Sequence, residues 1–181
     1  MWLPVPFDRV NKGAGMDRVG DLGPVEQLLD GAAVWGIELE PKFRVLGLTL
    51  EPAADTAQAA VGTDLGDTRL QLACFPVSTI LGSLRQNTAD GVTVLRFTEA
   101  QLVDVVAAFD GAALSSPIFG QPEPRPATWA PTFSLEGRSS APDGVSATIT
   151  VSLRSDDLAL DLFARFDEWR LLDATGQPVT L

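Results

Sequence analysis

The stretch Ala147-Thr148-Ile149-Thr150-Val151-Ser152-Leu153-Arg154-Ser155-Asp156-Asp157-Leu158-Ala159-Leu160-Asp161-Leu162-Phe163-Ala164-Arg165-Phe166-Asp167 decides the fold class. Ala147, Ile149, Val151 and Leu153 alternate with Thr148, Thr150, Ser152 and Arg154. After Ser155-Asp156-Asp157, Leu158, Leu160, Leu162, Ala164 and Phe166 alternate with Asp161, Phe163, Arg165 and Asp167. A period of two places one set of side chains on each face of a strand, so one face meets a core and the other meets water. Phe133 and Leu135, alternating with Ser134 and Glu136 ahead of a Pro142-Asp143-Gly144 turn, predict a further strand of the same antiparallel meander.

Working back toward the N-terminus, Thr98-Glu99-Ala100-Gln101 is a capping box. Leu102, Val105, Val106 and Phe109 follow at i, i+3, i+4 and i+7, and Gly111 can close the segment in a left-handed conformation, which predicts one clear helix over about 99–110. Gly91 to Phe97 reads as strand. The run Val77, Ile80, Leu81 and Leu84 fits a helix, whereas Val77, Thr79 and Leu81 fit a strand, and the period does not separate the two. Leu70, Leu72 and Cys74 alternate as a strand. Ala33 to Leu39 and Phe43 to Leu50 predict a hairpin about Glu40-Pro41-Lys42, with Trp35, Ile37 and Leu39 on one face. Pro24 opens a short helical run through Val25, Leu28 and Leu29 that Gly31 ends. The expected fold is α+β: a predominantly antiparallel sheet with a C-terminal meander, the 99–110 helix and one or two shorter helices.

One domain over residues 1–181 is expected, because a chain of this length buries roughly 70% of its unfolded surface around a single core. Residues 1–23, rich in Pro and Gly, read as an extended N-terminal arm. Residues 120–131, with Pro122, Pro124 and Pro126, read as a stiff connector within the domain.

Composition narrows function mainly by exclusion. A net charge of -11 opposes binding to nucleic acid or to an anionic membrane, since phosphate recognition rests on clustered cations. It favours either solubility alone or attraction of a basic protein or a cation. With no histidine, the Ser-His and Cys-His nucleophile pairs and every histidine-containing zinc site are ruled out. Tyrosine is also absent. Cys74, the only cysteine, sits among Leu70, Leu72 and Phe75, where burial makes a thiol inert. Gly13-Ala14-Gly15 lacks the third glycine of a dinucleotide loop, because Arg18 stands there. No cofactor is expected.

Carboxylates remain as possible actors. Asp64, Asp67, Asp156 and Asp157 are turn residues by position and match no calcium loop. The candidate interaction surface is the polar side of the C-terminal strands: Arg154, Asp161, Phe163, Arg165 and Asp167, with Trp129 beside the connector. Asp161, Arg165 and Asp167 are placed to pair with Arg154 across strands, and Phe163 lies either beneath another element or in a contact surface.

A non-catalytic acidic interaction protein is the expected function, with another protein, a basic one, as partner. The alternative is an enzyme working with carboxylates, or a binder of a small ligand or divalent cation. The arginine bias of the basic residues, of which only Lys12 and Lys42 are lysines, points to a GC-rich bacterial source. A single cysteine and a start with neither a basic segment nor a long apolar run point to the cytoplasm.

Overall fold

The computed structural model describes residues 17–18, 22–40, 42, 44–53, 67–115, 118–120, 131–136 and 146–181. In chain order the elements are β1 (Asp17–Arg18), α1 (Gly23–Leu29), β2 (Ala33–Glu40), β3 (Val45–Glu51), β4 (Leu70–Thr88) and β5 (Gly91–Leu95). A 3-10 turn (Glu99–Gln101) then leads into α2 (Leu102–Ala107), followed by β6 (Phe133–Glu136), β7 (Ala147–Arg154) and β8 (Leu158–Asp173). The strands form one 8-stranded antiparallel sheet, giving the expected α+β fold with a sheet-rich C-terminal part.

Two long strands make the spine. β4, with 19 residues, and β8, with 16, pair from Leu70↔Asp173 to Gln86↔Leu158. The other edge of β4 carries β3, β6 and β5 in succession, at 70–74, 79–82 and 84–88. The other edge of β8 carries β7 and then β1, so part of the N-terminal arm adds a strand beside Glu168 and Trp169. β7 and β8 form the expected hairpin, whereas Phe133–Glu136 pairs with β4 and not with β7.

The run that periodicity left open, Val77 to Leu84, is a continuation of β4. A bulge between Val77 and Thr79 inserts one residue, so the core positions step from Val77 to Ile80 by three before Gly82 and Leu84 resume steps of two. One bulge thus imitates half a helical turn in sequence. A second bulge, between Val34 and Gly36, does the same in β2: Val34 and Ile37 are buried. Trp35, expected on the same face as Ile37, is the extra residue and is 50% exposed.

β8 gains a second apolar side along its length. Leu160, Leu162, Ala164 and Phe166 are buried against Ile149, Val151 and Leu153 of β7 and Ile80 and Leu84 of β4. Beyond Asp167 residues of both parities are buried: Trp169 and Leu171 lie next to Cys74 and Leu72, themselves paired with Leu46 and Leu48 of β3, while Arg170 and Leu172 on the other side lie next to Ala73 and Gln71. Because strand side chains alternate between faces, the ladder has one apolar face around Leu160–Phe166 and is buried on both faces beyond Asp167, where the apolar pairs Cys74–Trp169 and Leu72–Leu171 occupy the second face.

α1 buries Val25, Leu28 and Leu29, as its spacing predicts. α2 is shorter than 99–110, since its first turn is 3-10 and regular helix stops at Ala107. The reciprocal pairing of Thr98 with Gln101 is present, with Gln101 Oε1 accepting the Thr98 N–H at 2.9 Å and its hydroxyl at 3.1 Å. Leu102, Val106 and Phe109 are buried, Val105 is half-buried, and Gly111 takes φ +74.

The chain beyond α2 then covers two sheet edges. Residues 112–114 bond to β2 through Val34 N–H to Ala112 C=O and Leu114 N–H to Ala32 C=O. Residues 118–120 bond to β7 through Thr150 N–H to Ile118 C=O and Gly120 N–H to Thr148 C=O.

Candidate functional site

Of the residues expected to form a contact surface, the structure brings two together directly. Asp161 on β8 lies between Ser83 of β4 and Ser152 of β7. Its Oδ1 accepts from Arg154 Nη2 at 2.6 Å and from Ser152 Oγ at 2.8 Å, and its Oδ2 accepts from Arg85 Nη2. Arg154 also donates through Nη1 to the carbonyls of Leu153 and Leu160. The side chains of Arg85, Asp161 and Arg154 are 7%, 13% and 50% exposed. The expected cross-strand pair of Asp161 with Arg154 is present, and Asp161, largely withdrawn from water, also bridges to Arg85. Arg85 was not anticipated there; its alternation with Leu84, once 77–84 is read as strand, is the signal that places it on this face.

The remaining residues of that list diverge. Arg165 is exposed and Phe163 half-buried. Asp167, expected to face water, is buried because it lies where β8 gains its second apolar side. Trp129 and most of the 120–131 connector lie outside the described residues, as do Asp64 and the Pro142-Asp143-Gly144 turn. Asp156 and Asp157 are exposed in the β7–β8 turn, where the Asp157 carbonyl accepts from Asn87 N–H. Cys74 is fully buried and burial pushes its thiol pKa up, so it stays protonated and unreactive. Among the described residues, no three Asp, Glu or Cys side chains group to hold a metal ion.

A second site emerges at the opposite end of β4, in a groove of about 390 Å³ lined by Trp35, Glu51, Asp67, Thr68 and Arg69. The bulge in β2 turns Trp35 outward, and its indole packs over Gly111, where an added Cβ would lie 3.1 Å from the ring. Trp35 Nε1 donates to Glu51 Oε2 at 2.6 Å. Asp67 accepts from Arg69 through the backbone N–H at 3.1 Å, Nε at 2.8 Å and Nη2 at 2.5 Å. Those bonds from Arg69 hold the Asp67 carboxyl below the usual carboxylate range. The groove therefore offers an aromatic surface at the β2 bulge, a carboxylate at the end of β3, and a carboxylate and a guanidinium in the segment that leads into β4. No family model, no curated protein and no solved structure matches this chain.

Proposed function

We propose that the chain is a non-catalytic, acidic interaction protein of a bacterial cytoplasm that takes a basic protein partner at the Trp35 groove. The observation that carries this reading is Trp35 itself: a large apolar side chain in a strand, half-exposed and held in place by Glu51 and by packing on Gly111. A pre-oriented indole beside carboxylates attracts a guanidinium or ammonium through both its π face and its charged neighbours. The net charge of -11 steers such a partner toward the molecule. Absence of histidine supports binding over proton-transfer chemistry.

The test is a titration of the full chain with a short arginine-rich peptide at low salt, followed by indole fluorescence and calorimetry. Saturable binding is expected, weakening steeply as salt is added. Trp35→Ala and Glu51→Gln should each reduce affinity by about tenfold, the loss of one cation–π or charge contact. Glu136→Gln, an exposed charge on β6, should leave affinity unchanged. Equal affinity in all three variants would defeat the proposal.

A further inference from the structure

We infer that the outer edge of β5 is a self-association site, at which a second copy of this chain adds its own β5 antiparallel about a two-fold axis through Thr93. This interface is independent of the Trp35 groove.

β5 pairs with β4 along one edge only, from Leu84↔Leu95 to Thr88↔Gly91, and among the described residues its other edge has no backbone partner. The hairpin turn has two residues, Ala89 and Asp90, which makes Thr88 and Gly91 a hydrogen-bonded pair. The next pair, Asn87 and Val92, is then a non-bonded one, and Asn87 indeed sends its N–H away from β5, to the Asp157 carbonyl. The N–H and C=O groups of Val92 and Val94 therefore face the open side. The strand has none of the usual guards of an open edge within it: no lysine, no proline, no bulge. Its two valines are uncovered, with Val92 47% and Val94 37% exposed, while Leu95 packs against the core.

The flanking charges specify the occupant. Asp90 precedes the strand and Arg96 follows it; both are exposed, and among the described residues neither forms an ion pair. Antiparallel self-pairing with Thr93 opposite Thr93 sets Val92 against Val94 of the second copy and Asp90 against Arg96, each twice by symmetry. It also makes both Val92–Val94 positions hydrogen-bonded pairs, as the outward backbone groups require. A shift of two residues either way sets a valine against a charge. The strand is complementary to itself in hydrogen bonding, shape and charge in one register.

Five residues per chain make a small interface, so association is weak. Sedimentation velocity on the full chain from about 1 µM to about 1 mM, the range in which small interfaces form, should show a reversible monomer–dimer equilibrium. Asp90→Arg and Arg96→Asp each create two like-charged pairs and should each weaken dimerisation by about tenfold or more, although they change the net charge in opposite directions. Mixed together, the two variants regain complementarity at every position and should form a heterodimer as tight as the wild-type dimer. Both positions are exposed, and unchanged melting curves verify folding. A wild type that stays monomeric at every concentration overturns the inference, and so does a dimer that survives Arg96→Asp alone or a mixture that does not associate.

Discussion

Asp161 shows how much one carboxylate can hold in place when two guanidiniums converge on it from neighbouring strands. Asp161→Asn leaves Arg85 buried with its charge uncompensated, and we expect a loss of about 3 kcal/mol in urea unfolding. Arg154→Ala, removing the half-exposed partner, should cost under about 1 kcal/mol; equal losses would mean that burial does not set the value of this bridge. Cys74 gives a second residue-scale expectation. Its buried, protonated thiol should resist an aromatic disulfide reagent in the native chain and react at once in denaturant. Sequence alone placed Cys74 in the core correctly because Leu70 and Leu72 alternate with it on one face. It missed Trp35 and Arg85 because each depends on a bulge, and a bulge is set by how two distant strands meet.

At the scale of elements, the β7–β8 hairpin, the α1 stop at Gly31 and the Thr98–Gln101 cap were legible, since each rests on contacts close in sequence, whereas the place of Phe133–Glu136 beside β4 was not. Thr98→Ala should destabilise by about 1 kcal/mol in thermal unfolding. Less legible were the continuation of β4 past Pro76 and of β8 past Asp167. The first is masked by the extra residue near Ser78, the second by the added apolar side that breaks alternation between Phe166 and Trp169. Gly82 marks where β4, β6 and β8 close on one another. A Cβ there would lie 2.8 Å from Phe97 Cζ and 2.9 Å from Leu162 Cδ2. Gly82→Ala should therefore cost about 1–3 kcal/mol through overpacking. A neutral result would show that the Phe97–Phe133 stack can yield.

For the whole molecule, acid response follows from which carboxyls are shifted. Asp67 is held low by its bonds from Arg69. At Asp173 burial opposes ionisation, but the Thr175 hydroxyl and the N–H groups of Gln177, Thr175 and Gly176 hold its pKa below the ordinary 3.8. Groups depressed on folding contribute stability above their unfolded pKa and lose it as pH falls through the folded one. Glu38, raised by burial and by Glu40, acts in the opposite sense: the folded chain carries a cost once pH exceeds 4.5. Melting temperature should therefore drop as pH is lowered below about 4. Glu38→Gln should raise it at neutral pH and leave it unchanged in acid. A melting curve insensitive to pH below that point would contradict the assigned bonds.

The spine of the sheet joins Leu70 to Asp173 across most of the chain. A ribosome must therefore have translated past Leu158 before the central ladder can begin to zip, and past Asp173 before it can finish, so the early strands wait with their edges bare. Such distant pairing slows the search for the native state, so refolding should take milliseconds to seconds, in contrast to a helical bundle's microseconds. In the cell, that waiting interval is when a holdase chaperone would find this polypeptide.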